Sequence, residues 1–256
     1  MIIRTIAITL LAASLLFAQT TPELGIRSKT PTVKAFTNAR IVVSPERTIE
    51  GGTMVIADGR IIAVGANATI PEGATVYDLS GKTVYPGFIE PFGDYGVPKA
   101  ERDRSRNRGP QYQTERQGAN AWNGATHAEQ NWVAEFKPDK KAAEELLELG
   151  YTVVQTGRHD GVFRGRPAVV TLGEGLPNDL ILRRQGQHWL SFDKGASSQD
   201  YPSSLMGSIA LVRQTLYDAD WYTKARRAYD NTATQERPEI NRALAALTTV
   251  TSEGVL

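Results

Sequence analysis

Thr83-Val84-Tyr85-Pro86-Gly87-Phe88-Ile89-Glu90-Pro91-Phe92-Gly93-Asp94-Tyr95-Gly96 is the stretch on which the architecture turns. An apolar, strand-like run, Thr83-Val84-Tyr85, meets Pro86-Gly87. It resumes as Phe88-Ile89 and ends in two carboxylates, Glu90 and Asp94, set among Pro and Gly. Residues before it read as short strands and hairpins. Residues after it read as alternating helix and strand. A strand that ends in polar groups is where (β/α) barrels place their chemistry, so the stretch is a boundary and a candidate site at once.

On the N-terminal side, VKAFTNARIVV (33–43) is strand-like around a kink at Asn38-Ala39. In TMVIADGRIIAVG (53–65), Val55-Ile56 and Ile61-Ile62 flank Asp58-Gly59, a pair suited to the positive φ values of a two-residue hairpin turn. Ala74 to Leu79 forms a further short strand, closed by a turn at Ser80-Gly81. On the C-terminal side, Gly96 to about Ala134 is polar and lacks sustained periodicity. A loop of that length is functional, mobile or decorative, and Trp122 and Trp132 are its expected anchors. Asp139 is placed to cap a helix whose apolar face is Ala142, Ala143, Leu146, Leu147 and Leu149, ended by Gly150. The strand Tyr151 to Val154 follows. Short strands are expected over 166–172, 179–183 and 188–192. A long helix begins at Pro202-Ser203-Ser204, with Leu205, Ile209, Val212, Leu216, Ala219 and Tyr222 on one face. A last helix spans roughly Pro238 to Leu247, and 248–256 reads as a helix exit heading for another strand.

Composition narrows the function classes. The 256 residues are 41% hydrophobic and 22% charged, which is globular rather than disordered. The net charge of +1 argues against nucleic acid or an anionic surface as partner. Arg102, Arg104, Arg106 and Arg108 cluster, but Glu101 and Asp103 interleave with them, as on a solvated loop. There is no cysteine, which rules out disulfides, zinc–thiolate sites, thiol nucleophiles and lipoprotein attachment. Residues 1–18 have the form of a bacterial signal peptide: Arg4, an apolar run from Ile6 to Phe17, and a cleavage point at Ala18-Gln19, with Leu16 larger than usual for its position. The expected location is periplasmic or extracellular, with no membrane association apart from export. Residues 19–32 read as a flexible lead-in.

Three stretches together resemble the metal-dependent amidohydrolase superfamily, near its imidazolonepropionase-like and dihydroorotase-like members. They are AFTNARIVVSPERTIEGGTMVIADGRIIAVG (35–65), IPEGATVYDLSGKTVYPGFIEP (70–91) and KAAEELLELGYTVVQTGRHDGVFRGRPAVVTL (141–172). The run Gly81 to Glu90 is the specific part. The resemblance implies an α/β fold: part of a small β-sandwich over 33–82, then the first part of a TIM-like (β/α)8 barrel over 83–256. That portion would carry a long polar loop (97–138) and a hairpin excursion (160–200). It implies hydrolysis of carbon–nitrogen bonds in amides or cyclic amides, by water activated on a divalent metal such as zinc.

The departure from the family matters as much as the match. Active members follow the Pro-Gly-Phe-Ile-Asp run with His-x-His, two imidazoles on one strand face that hold the metal. Phe92 and Asp94 stand in those places, and Glu90 replaces the usual Asp. Phe92 cannot ligate, and one carboxylate alone is a poor transition-metal site. The three histidines, His127, His159 and His188, are mutually remote and read as surface or hydrogen-bonded structural residues. Glu90 and Asp94 form an acid–base pair only at a separation the sequence does not define. Gly161 to Gly165 lacks the Lys-Ser/Thr of a phosphate loop, and Ser203 to Gly207 is no nucleophile elbow. Arg213, Arg226 and Arg227 read as a solvated face; Trp189, Trp221 and Tyr222 read as packing anchors rather than a sugar platform.

No catalytic, cofactor-binding or metal residue is therefore assigned in this segment. The expectation is the N-terminal part of an exported amidohydrolase-like protein, itself non-catalytic. Its partner is the rest of its own longer chain, and a small-molecule substrate belongs to the whole. The alternatives are a pseudoenzyme-like scaffold or interaction module, and a carbohydrate-binding surface built on tryptophans. A partial barrel is expected to expose the edge of its second strand.

Overall fold

The computed structural model describes residues 32–101, 111–112, 114, 116–232 and 234–250. The leader (1–18), nearly all of the lead-in (19–32), the Arg102–Arg108 cluster and the last residues of the 248–256 exit lie outside these. The chain divides after Pro86 into two units.

The first unit is one five-stranded sheet. Strands β1 (Val33–Ser44), β2 (Arg47–Ala57) and β3 (Arg60–Gly65) form an antiparallel meander. Its second turn has Asp58 at φ 49° and Gly59 at φ 72°, both positive as a type I′ hairpin requires. Strands β4 (Thr75–Asp78) and β5 (Thr83–Val84) both run parallel to β1 along its other edge. They are one strand interrupted by the Ser80-Gly81 turn. Opposite the interruption β1 bulges at Asn38, whose φ is 59° and whose Nδ2 donates to Asp78 Oδ1 at 3.0 Å. Ala35, Ala39, Ile41 and Val55 are its buried apolar residues. Among its described residues the first unit holds this one sheet, where part of a sandwich was expected. Thr83-Val84 also belongs to this sheet and not, as the sequence suggested, to the start of the barrel portion.

In the second unit, β6 (Phe88–Gly93) and β7 (Tyr151–Thr156) are parallel neighbours. The connection between them ends in helix α1 (Lys140–Glu148), and the Asp139 side chain accepts from Ala142 N at 2.9 Å as its N-cap. Glycines let the strands approach: a Cβ on Gly87 would lie 2.2 Å from Thr152 Cγ2, and one on Gly93 2.6 Å from Val154 Cγ1. Beyond β7 the order departs from an all-parallel barrel arc. Strands β8 (Phe163–Gly165), β9 (Ala168–Thr171) and β10 (Ile181–Arg183) follow in sequence. Of these, β9 pairs antiparallel with β7, and β10 antiparallel with β9, giving the order β10-β9-β7-β6. The second parallel strand is thus covered on both edges, a correction to the expectation above, and among the described residues the unpaired edges of this sheet are those of β6 and β10. Strand β8, which the sequence did not show, pairs with β11 (Trp189–Leu190).

Helix α2 (Leu205–Asn231) is capped by Ser204, which accepts from Gly207 N, and α3 (Arg242–Ala246) by Asn241. The buried face of α2 is Ser208, Leu211, Thr215, Ala219 and Tyr222. Of the face read from the sequence, Ala219 and Tyr222 are buried as expected, whereas Leu205 is 59% exposed. Ile209, Val212 and Leu216 flank the true face and are half-buried.

One core joins α1 to β7 and β9 through Ala143, Val154, Ala168 and Val170. The other joins α2 and α3 to Val162, Phe163 and, unexpectedly, to Ala121, Ala125 and Ala128 of the long polar stretch. That stretch is not decoration. His127 N donates to Phe163 O, Trp132 N to Arg166 O and Arg166 N to Gln130 O, so it runs beside β8 as an irregular strand. Its polar composition hides small buried alanines, of which Ala125 accepts at its carbonyl from Val162 N at 2.7 Å. No described helix is long and apolar enough to cross a membrane.

Candidate functional site

The tip of β6 presents positions 92 and 94, where the resemblance expects metal-binding imidazoles. The backbone there is ordered by the preceding carboxylate: Glu90 Oε1 accepts from Phe92 N at 3.0 Å. Glu90 is thereby engaged with its own strand. The Phe92 ring stacks on the His159 imidazole, centroids 4.1 Å apart and planes within 8°. Trp189 closes the group at 4.6 Å from Phe92 and 5.5 Å from His159. The Arg164 guanidinium lies 5.8 Å from the Phe92 ring centroid, within cation–π range. Trp189 is fully buried, and its indole N–H has no hydrogen-bond partner among the described residues.

These four side chains come from β6, the turn after β7, β8 and β11. The sequence gives no sign that they meet. Burial lowers the His159 pKa below its ordinary value, and Arg164 adds to the shift; Asp94, Glu90 and the Gly93 carbonyl oppose it. The imidazole is thus held neutral as a stacking partner. Next to this group, Trp132 is buried and donates from Nε1 to Arg164 O at 2.6 Å, while Arg158 lies 4.7 Å over its ring. Trp132 is an anchor as expected. Trp122 is not, being 43% exposed.

The donor set at this tip does not fit a divalent metal. Phe92 has no donor atom, Glu90 is bound to backbone, and the His159 ring lies flat against Phe92. Among the described residues, no group of three or more His, Asp or Glu side chains is disposed to hold a metal ion. Glu90 and Asp94 are brought to one cleft with His159 and Glu145, but no hydrogen bond joins the two carboxylates into an acid–base pair among the described residues.

A second polar cluster was missed by sequence reading. His127 Nε2 lies 3.4 Å from Asp160 Oδ2, and Arg116 Nη1 lies 3.1 Å from His127 Nδ1. A guanidinium only donates, so Nδ1 accepts and Nε2 carries the proton toward Asp160. Arg116 also donates to Thr126 O at 3.1 Å and pairs with Glu129. Burial alone would raise the Asp160 carboxyl. The hydrogen bonds from His127 and from Ala196 N, 2.6 Å from Oδ1, outweigh it and hold the group below the usual carboxylate value. The cluster borders a cleft of about 240 Å³ that Ser197 and Gln199 also line. With both imidazole nitrogens engaged, His127 offers neither a base nor a ligand; the cluster clamps the 116–129 segment to the loop after β7. No spacing signal marks these partners, because they are distant in sequence. His188 is likewise buried, Nε2 3.1 Å from Ala246 O.

Among solved structures, an amidohydrolase from Thermotoga maritima superposes on 84% of this chain with a TM-score of 0.65 and 19% identity. The chain spans 55% of that protein's length. A prolidase complexed with N-methylphosphonate-L-proline aligns over 49% of this chain and 26% of its own, with TM-score 0.27 and 22% identity. Another amidohydrolase aligns over 25% of this chain and 16% of its own, with TM-score 0.23 and 29% identity. Only the first likeness is extensive enough to bear on the fold, and it shows an amidohydrolase-like α/β arrangement. No protein-family model matches the chain, and no curated protein matches it.

Proposed function

We propose that this chain is a non-catalytic N-terminal portion of an exported amidohydrolase-type protein. Its role is to scaffold a barrel whose chemistry is carried by residues outside it. One observation carries the reading. At the tip of β6, where the family-like framework Pro86-Gly87-Phe88-Ile89-Glu90 leads to the metal pair, Phe92 stacks on His159 and packs at a tilt against Trp189. The Thermotoga likeness supports the fold part of this reading. The edge of β6, unpaired among the described residues, supports a partner strand from the remainder of a longer chain. In that whole, the family-type activity is metal-dependent hydrolysis of a carbon–nitrogen bond in a small amide or cyclic amide. Residues 1–18 would direct it to the periplasm or the medium, and no nucleic-acid partner is implied.

Metal analysis of the purified mature chain after incubation with zinc tests the reading, together with assays on N-acyl amino acids and hydantoins. The expected result is no stoichiometric zinc and no hydrolysis. One equivalent of zinc that disappears in Asp94→Ala, or turnover of any of these amides, would overturn it.

A further inference from the structure

The cleft between the 116–122 segment and the α2–α3 connection has a composition that neither the ring stack nor the clamp explains. Trp221 and Tyr222 are consecutive on α2. Tyr222 turns inward and is buried, so Trp221, about 100° around the helix, turns to the rim and is 61% exposed. Trp122 is 43% exposed and stacks on Tyr201 at 6.2 Å, which leaves its other face open. Both indoles line one cleft of about 480 Å³, together with Asn120, Glu239 and Asn241.

The walls are tied in place. Arg242 N donates to Ala119 O at 2.8 Å, and Asn241 N to the Tyr222 hydroxyl at 3.4 Å. Asn120 spends its amide N–H on Gln117 O, leaving Oδ1 as an acceptor. Asn241 spends Oδ1 capping α3, leaving its NH₂ as a donor. Glu239 has no ion pair among the described residues. Arg116, the cation beside the cleft, is already committed to Glu129, His127 and Thr126 O.

We infer that this cleft binds a neutral saccharide, with pyranose C–H faces against Trp122 and Trp221 and ring hydroxyls on Asn120, Glu239 and Asn241. A hydroxyl both donates and accepts, which suits one amide donor beside an amide and a carboxylate acceptor. The apolar face of the ring buries against an indole while its rim stays wet. A nucleotide or another anion is disfavoured, because the cation at hand is already paired and Glu239 repels. Exposed indoles on both sides of a preformed, mostly polar cleft are otherwise a cost in exposed apolar area. This inference is independent of the proposed function: it needs neither a barrel nor a metal.

The test is titration of the mature chain with cellotetraose, maltotetraose, xylotetraose and chitotetraose, followed by tryptophan fluorescence and saturation-transfer NMR. At least one sugar is expected to give a saturable signal. Trp221→Ala and Trp122→Ala should each weaken it about tenfold or more, and Glu239→Gln should weaken it less. Tyr217→Ala, an exposed change on the same helix but outside the cleft, should leave affinity and melting temperature unchanged. No saturable signal with any of the four sugars up to their solubility limits would overturn the inference. Binding that survives the double Trp122→Ala/Trp221→Ala variant in a protein of unchanged circular dichroism would overturn it too.

Discussion

Position 92 shows how one side chain replaces one function with another. A phenylalanine at the mouth of a strand exposes apolar surface unless something covers it, and His159 and Trp189 do so in part, leaving Phe92 43% exposed. Aromatic pairs are worth about 0.5–1.5 kcal/mol each beyond area burial. The arginine contact adds a term of about 0.5–1 kcal/mol. The stack is therefore a stabilising element, and it works with the imidazole uncharged. The folded protein depresses the His159 pKa, chiefly by burial. The unfolded chain takes up a proton first as the pH falls, so stability is full above the ordinary histidine value of about 6.5 and is lost as pH drops toward the folded value. Denaturant midpoints measured at pH 7.5, 6.5 and 5.5 should fall on acidification. The fall should be shallower in His159→Phe, which keeps the ring and removes the titration. Equal slopes in the two proteins would show that the imidazole is not held neutral.

Elements bear out local chemistry and miss long-range packing. Asp139 is an N-cap by sequence and by structure, so Asp139→Ala should cost about 1 kcal/mol, read as a lower denaturant midpoint with an unchanged slope. The hairpin at Asp58-Gly59, the kink at Asn38 and the helix start at Pro202-Ser203-Ser204 were legible for the same reason: positive φ and helix initiation depend on the residue itself and its immediate neighbours. The buried face of α2 was legible only in its second half, at Ala219 and Tyr222. Leucines suggested one stripe, but Ser208 and Thr215 are buried because Ser208 Oγ reaches Phe192 O at 2.8 Å and small side chains admit the facing segment. Strand β8 was hidden by its glycines. Gly165 has φ 79°, and a Cβ there would lie 2.5 Å from Gln130 O, so the residue that looked like a loop marker is where a neighbouring backbone crosses closely.

At the scale of the molecule, the feature with the largest consequence is the open edge of β6. Phe88 and Ile89 are each 64% exposed on it, and an unpaired apolar strand edge is a template for self-association. The mature chain should form concentration-dependent oligomers in light scattering. Ile89→Lys should reduce them while shifting stability by no more than about 0.5 kcal/mol, as for other exposed substitutions. A strictly monomeric wild-type chain would contradict this. The same edge is the place for a complementing strand in the reading proposed above.

By itself, the sequence determined the turns, the Asp139 cap, a change of architecture around the 83–96 stretch and the framework that resembles an amidohydrolase. It also determined that position 92 brings no ligand. Each of these follows from the chemistry of a residue and its immediate neighbours. Only the tertiary structure decided that Phe92 meets His159 and Trp189, that Arg116, His127 and Asp160 lock together, and that β9 closes antiparallel on β7. It also decided that Trp122 and Trp221 face one cleft while Trp132 and Trp189 are buried. Those outcomes depend on which distant surfaces exclude water from one another, and an apolar or polar side chain carries no record of its partner until the chain has folded around it.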